Sequence, residues 1–442
     1  MNEAVVVLKK GEGRTIKAGG AWIFDNEIDT IRGRFKNGEL VAVEDFDGYK
    51  MGTGYINQNS KIRVRMMTRN AETVVDDEFI RVRLQAAWDY RKAVMTGGNE
   101  AVTSDIGDTG RYDLNCCRVI FGEADFLPGI TIDKYSDVLV VESLTLGMEQ
   151  FKYRMVEMLV DIMAADGIGI RAVVERSDAK EREKEGLKKY KGLMWSASDS
   201  FDCPVEAVNQ EIPGFDPHVE IVENGVHYTV DVLNGQKTGF FLDQKYNRKA
   251  MQRIVSGALL SENNIGGRGT LKCLDCFTHM GTFALNMGLA GATDVTGLDI
   301  SEFAVEQATA NSRLNGLSDT VRFRAANVLD ELPRLLAAGE SYDVVVVDPP
   351  AFTKSKDATK NAIKGYREVN MKGLKLVRDG GYYATCSCSH FMTQDLFIKT
   401  IKEAAKASHK RLRQIEFRTQ ACDHPILVAN SDKVPESYYL KF

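Results

Sequence analysis

The chain has 442 residues, more than one hydrophobic core ordinarily serves, so two or three domains are expected. Its 44% hydrophobic and 27% charged residues suit a soluble globular protein, and a net charge of -5 excludes a generally basic, DNA-coating one while leaving room for local basic faces. No apolar run reaches membrane-span length, the N-terminal stretch has no secretory h-region, and eight cysteines without regular spacing make no disulfide framework, so a cytoplasmic protein with reduced thiols is expected.

Residues 1–73 are short alternating segments ("AVVVL", "ELVAVEDFDGYKMGTGYI", "IRVRMM") punctuated by Gly and Asn, the pattern of a small β domain. With 12 basic against 10 acidic residues over positions 1–75, this part is slightly positive within an acidic chain. Residues 74–200 combine a long helix ("DEFIRVRLQAAWDYRKAVM") with strands "DVLVVESL" and "RAVVERS", and a second helix lies between those strands. That is an α+β domain. Its charged run "DAKEREKEGLKKYKG" reads as a solvated helix or loop.

Residues 201–442 open with a β-hairpin over 218–233 that turns at Asn224-Gly225. Near-continuous apolar strands then alternate with helices, which predicts a doubly wound, Rossmann-like parallel sheet. Ligands of such sheets bind beyond the carboxyl ends of the strands. The first strand, "LKCLDC", carries Asp275 near its end and runs into "FTHMGTFAL" with a single glycine, Gly281. A dinucleotide site needs G-x-G-x-x-G here to let backbone crowd a pyrophosphate. Asp299 closes the second strand, where a carboxylate can accept from both hydroxyls of a ribose. Two acidic strand ends with one glycine fit a nucleoside ligand without a diphosphate, such as S-adenosylmethionine. Each aspartate alone reads equally as a helix cap. Gln244 and Arg248, in "NGQKTGFFLDQKYNR", are placed to cover an adenosyl group or its amino-acid tail, or simply begin an amphipathic helix.

"VVVVDPPAF" sets Asp348 at the end of a buried strand, and Pro349 and Pro350 make the following turn rigid. Phe352 can stack on a planar base or pack into the core. In "GYYATCSCSH", Cys386 and Cys388 are two apart on a strand and face the same way, with Cys388 expected near Asp348. A thiolate there can attack a pyrimidine at C6. A zinc site built with Cys273 and Cys276 is disfavoured because residues three apart on a strand point to opposite faces. Lys354 and Lys356 begin a basic run that suits either a solvated helix face or polynucleotide phosphates.

Taken together, "VVVLKKGEGRTIKAGGAWIFDNEI", "FGEADFLPGITIDKYSD", "KTGFFLDQKYNR", "DCFTHMGTFAL", "DVTGLDIS", "DPPAF", "SCS" and "DHPILVANSDKVPESYYLKF" resemble, in order and over essentially the whole chain, the bacterial 23S ribosomal RNA cytosine-C5 methyltransferases with a PUA domain, the RlmI-like family. The resemblance implies an N-terminal PUA-like β barrel, a central α+β domain and a C-terminal class I methyltransferase sheet. It implies S-adenosylmethionine as cofactor, held by Asp275, Phe277, Gly281, Asp299, Asn327, Asp348, Gln244 and Arg248. It assigns catalysis to Cys388 and Asp348, with Cys388 rather than Cys386 as nucleophile, and substrate contacts to Pro349, Pro350, Phe352, Lys354 and Lys356. The partner is large-subunit ribosomal RNA, no membrane or metal is involved, and a homodimer is a candidate assembly. Ala351 and His390 stand where the family often has Lys and Gly, and Asn327 replaces its usual Asp. The alternatives are methylation of a guanine or adenine nitrogen, with Cys388 structural, or a non-catalytic RNA-binding assembly factor.

Overall fold

A computed structural model describes residues 4–96, 114–197, 205–206, 214–260, 270–352, 359–389, 391–428 and 439–441. The chain divides into two compact units, one of Met1–Ile221, Val230–Leu242 and Cys422–Val434, the other of Val222–Thr229, Asp243–Ala421 and Pro435–Phe442.

The first unit holds two six-stranded sheets. One is built from β1 (Val5–Leu8), β2 (Trp22–Phe24), β3 (Ile28–Arg32), β4 (Leu40–Glu44), β5 (Lys50–Ile56) and β6 (Ile62–Thr68), with the short helix α1 (Arg14–Lys17) after β1. Its order is β2-β6-β5-β4-β1-β3, parallel only between β1 and β4. The alternation seen in the sequence is a physical one: Val6, Leu8, Val41 and Val43 point into a core with Ile56 and Val64, while their neighbours face outward. The second sheet contains β7 (Cys116–Phe121), β8 (Ile130–Tyr135), β9 (Val138–Ser143), β10 (Ala172–Ser177), β11 (Tyr190–Ser196) and β12 (Val205–Glu206). Helix α2 (Asp77–Thr96) contributes Ile80, Leu84 and Trp88 to its core. The short α3 (Leu146–Glu149) precedes α4 (Lys152–Ala165), the crossover between the parallel strands β9 and β10, which adds Met155, Val156 and Leu159.

The charged run is solvated for the most part, as expected, with two charged exceptions. It forms the short α5 (Glu181–Lys184) and the turn after it, in which Arg182 and Glu185 are buried. Arg182 donates to Glu149 at 3.0 Å, and Glu185 accepts from Asn57 of the first sheet at 2.7 Å. Buried charges persist when each finds a partner, and composition alone does not disclose these partners.

The second unit begins in the hairpin β13 (His218–Glu223) and β14 (Val226–Asp231), whose turn has φ of 54° at Asn224 and 81° at Gly225. Both turn residues are therefore left-handed, the requirement that Asn-Gly meets. After α6 (Lys245–Leu260) come β15 (Lys272–Cys276), α7 (Thr282–Leu289), β16 (Asp294–Asp299), α8 (Glu302–Leu314), β17 (Val321–Ala325), α9 (Val328–Ala337), β18 (Tyr342–Val347), α10 (Thr359–Leu376), β19 (Val377–Ser387), α11 (Gln394–Ala407), β20 (Phe417–Arg418) and β21 (Tyr439–Lys441). The sheet order is β17-β16-β15-β18-β19-β21-β20. The first five strands are parallel and β21 runs antiparallel to β19, as in the doubly wound sheet expected. Strand order reverses beside β15, so the crevice for a ligand opens at the carboxyl ends of β15, β16 and β18.

One buried ion pair fixes the start of α6 against the hairpin tip. Arg248 donates to Glu223 through Nε at 2.5 Å and through a terminal nitrogen at 2.7 Å, and both side chains are at most 1% exposed. Removing one member of such a pair strands the other charge. Glu223→Ala should therefore lower the unfolding free energy by about 3–5 kcal/mol. Urea denaturation checks this, and a loss below about 1 kcal/mol would contradict it.

Candidate active site

The parallel register brings Asp275, Asp299, Asn327, Asp348 and the cysteine pair to the carboxyl edge of one sheet. Asp275 is fully buried on β15. Its Oδ2 accepts from Thr278 Oγ1 at 2.5 Å and from the Ala284 N–H at 3.0 Å, while Oδ1 has no partner among the described residues. Burial drives the carboxyl pKa up to about 7, and the carboxylates of Asp348 and Asp299 add to the rise.

The loop after β15 is strained. Phe277 and His279 take φ of 65° and 51°, and Gly281 takes 82°. Non-glycine residues in this region cost of order 1–3 kcal/mol each, a cost that clusters at ligand sites. The Thr278 N–H donates to the Leu298 carbonyl and the His279 N–H to Asp299 Oδ2, both at 2.9 Å, which holds the loop onto β16. At Gly281 a Cβ would lie 2.5 Å from the Phe323 ring, so the single glycine of the turn serves conformation and helix packing together.

Asp299 accepts with both oxygens, the second from the Ser301 N–H at 3.0 Å, and Ser301 itself caps α8. Asn327 caps α9 through the Leu329 N–H and is exposed. The apolar side chains that follow these strand ends are unusually bare: Ile300 is 71% exposed and Phe303 56%. Sequence reasoning passed over these two residues, although an apolar residue directly after a strand-end acid is a readable signal.

Asp348 begins the turn after β18, with its N–H on the Cys276 carbonyl at 3.2 Å. Burial and the neighbouring Asp243 push its pKa up to about 7. Gln244 donates to Asp348 at 3.3 Å and accepts from Asn247 at 2.5 Å. The guanidinium of Arg248 is the one held by Glu223.

The two cysteines are not equivalent. Cys386 is fully buried on β19, where Asp348 and Gln244 both bear on its thiol. Burial first, then the Asp348 carboxylate, hold its thiol well above the ordinary thiol range. Cys388 lies beyond the end of the strand, half-buried, with Sγ 3.9 Å from the Pro349 carbonyl. Cys388, expected near Asp348, lies against the adjacent Pro349, while the thiol that bears on the Asp348 carboxylate is that of Cys386.

Pro349 is buried and Pro350 exposed. Phe352 is half-buried, its ring edge-on to Tyr366 at 4.8 Å. Tyr366, missed in the basic run, also accepts from Ser387 Oγ at 3.1 Å and so ties the Asp-Pro-Pro turn to the cysteine strand. Lys354 and Lys356 lie outside the described residues. Among the described residues no three His, Cys, Asp or Glu side chains cluster as metal ligands, and no helix is long and apolar enough to cross a membrane.

Comparison with known proteins gives this geometry a family. Residues 6–69 match the PUA-like domain, and residues 210–423 match the S-adenosylmethionine-dependent methyltransferase family. Ribosomal RNA large subunit methyltransferase I of Shewanella denitrificans is 35% identical over 438 residues, covering 99% of this chain and 97% of that protein. Its namesake from Pseudoalteromonas translucida is 33% identical, covering 99% and 98%. Among solved structures, a methyltransferase from Streptococcus mutans shares the fold with a TM-score of 0.72 at 17% identity, over 99% of this chain and 100% of that one. A methyltransferase complexed with SAH scores 0.71 at 16% identity, over 100% and 99%.

The chain belongs to the family of these relatives, S-adenosylmethionine-dependent methyltransferases that carry a PUA-like domain. Its cofactor is therefore S-adenosylmethionine. The sheet edge fits such a group, because Asp275 Oδ1 and Asn247 Oδ1 are buried acceptors without a donor among the described residues. A ligand bringing N–H groups and positive charge answers both deficits.

The raised carboxyl of Asp275 makes stability depend on pH. Its folded value of about 7 exceeds the unfolded one of about 4, so the native chain keeps a proton that the unfolded chain has released. The associated stability is present below about pH 4 and is lost as pH rises through about 7. Asp275→Asn stays neutral, so its melting temperature should gain roughly 2–4 °C on the wild type between about pH 5 and about pH 8. A pH-independent difference in thermal melts would contradict the assignment.

Proposed function

We propose that the protein methylates C5 of a cytosine in large-subunit ribosomal RNA through a covalent bond from Cys388 to C6, acting in the cytoplasm. The observation that carries this reading is the unequal pair of thiols. Cys386 is sealed in the sheet, while Cys388 sits half-exposed beyond the strand end against the rigid Asp-Pro-Pro turn. The relatives matched along their length, named as ribosomal RNA large subunit methyltransferases, support RNA as the substrate class.

In this reading Asp299 faces the ribose hydroxyls with its remaining lone pairs, Asp275 the cationic end of the cofactor, and Asn327 with Ile300 the adenine. Phe277 and Gly281 shape the loop between them, and Gln244 links Asp348 to α6. Bound S-adenosylmethionine supplies an electrophilic methyl group. Cys388 Sγ forms a bond to C6 as the C5–C6 π pair shifts toward C5, and Asp348, near half-protonated at neutral pH, gives its proton to N3. Once C5 carries the methyl, water takes its proton, the ring recovers the double bond, Cys388 departs as thiolate, and the N3 proton returns to Asp348. The base flips out of its RNA context at a cost of a few kcal/mol, with Pro350 and Phe352 at its side. Lys354 and Lys356 are assigned to flanking phosphates.

The test uses target RNA with 5-fluorocytosine, whose fluorine cannot leave as a proton does, so the protein–RNA bond persists. Wild type and Cys386→Ala should both gain the mass of the RNA, while Cys388→Ala should not, and its turnover should fall by about 10³-fold or more. An adduct that survives in Cys388→Ala and disappears in Cys386→Ala would reverse the assignment. Full activity in Cys388→Ala would instead support transfer to a ring nitrogen.

A further inference from the structure

Along β19, from its amino-terminal end as far as Thr385, runs a second concave region of about 1210 Å³ with no part in the chemistry above. The six residues of β18 separate the two ends of the sheet by about 20 Å. Six lysines and arginines line this cavity against one carboxylate, Asp379. That imbalance stands out in a chain whose net charge is -5.

Local geometry creates the concentration. Lys402 and Lys406 are four apart on α11, hence on one face. The helix stops where His409 takes φ of 57° and the Lys410 N–H closes onto the Ala405 carbonyl at 3.1 Å. The chain then folds back, so Arg411 and Arg413 line the same cavity as the two lysines. Lys410 is paired with Asp379 at 2.8 Å and Arg378 with Asp343 at 2.7 Å. Lys402, Lys406, Arg411 and Arg413 are exposed and make no ion pair among the described residues. The nearby carboxylate of Glu416 is taken by Arg253 and Arg418. Leu412 and Ile415, 46% and 54% exposed, provide apolar surface between the charges. Cations near a helix C-terminus complement its dipole, which accounts for Lys406 and Lys410 but not for Lys402, Arg411 or Arg413.

We propose that this basic cavity binds the phosphate backbone of an RNA segment distant from the reacting base. Resting on the RNA reading above, it makes the methyltransferase unit a two-ended RNA clamp, with the base engaged at one sheet edge and an outlying strand anchored at the other. Four unpaired cations in one concavity repel one another, and a polyanion relieves that repulsion while releasing its own counterions.

The experiment measures binding of the full chain to a transcript of large-subunit ribosomal RNA over a range of salt, by fluorescence anisotropy. In K402Q/K406Q/R411Q/R413Q, Kd should rise tenfold or more, and the slope of log K against log salt should shrink by about 2–3. The kcat at saturating RNA should stay at the wild-type value, because no altered residue belongs to the catalytic edge. R411K/R413K keeps the charges and should keep the slope. An unchanged slope and Kd in a variant that melts like the wild type would overturn the proposal. A lowered melting temperature with RNA binding intact would do so as well, assigning the cations to the helix end. Binding does not depend on methyl transfer, so a wild type that binds the transcript without methylating it sinks the functional reading and leaves this one standing.

Discussion

The constraint on which this structure turns is the crowding of carboxylates at one sheet edge. Asp275, Asp299 and Asp348 stand on neighbouring parallel strands or just beyond them, and Asp243 bears on Asp348 from the turn just before α6. Of the buried cations Lys245 and Arg248 on α6, Arg248 is committed to Glu223. Such an arrangement costs free energy, as the raised carboxyls of Asp275 and Asp348 record. The strained loop through Phe277 and His279 adds to that cost. Sheet pairing and the Glu223–Arg248 contact hold the acids in place regardless, and a cationic cofactor offsets what they cost.

The same edge separates the two thiols. β19 ends at Ser387, so Cys386 remains within the sheet, against Asp348, and Cys388 escapes it. A thiol inside the acid cluster is held protonated by burial and by negative charge. Cys388, beyond the strand end and under a turn made rigid by two prolines, is only half-buried. Tyr366 stabilises this division by touching both the Phe352 turn and Ser387.

Much of this was readable in the sequence, because it rests on local rules. Apolar runs punctuated by turns predicted the strands, and the left-handed demand of a tight hairpin selected Asn224-Gly225. The placement of acids at strand ends pointed to a nucleoside rather than a dinucleotide. What escaped depends on partners distant in the chain. Arg182 and Glu185 looked solvated because Glu149 and Asn57, which bury them, lie far away in sequence. Arg248 looked available to a ligand because Glu223 precedes it by 25 residues. Cys386 and Cys388 share a face by strand periodicity, but only the position of the strand end tells them apart. The basic cavity at β19 joins a helix to the segment after it through a left-handed turn at His409, a residue type that does not announce one.

The Asp275 carboxyl, which holds a proton near neutral pH in the protein alone, should give it up to a cationic cofactor, while the Asp348 proton is kept for the substrate base. Calorimetric titration with S-adenosylmethionine near pH 7, repeated in buffers of different ionisation enthalpy, counts that release directly. Net release approaching about half a proton per molecule bound is predicted, vanishing above about pH 9 where Asp275 is already ionised. Binding near pH 7 with no proton release, or with uptake, would contradict it.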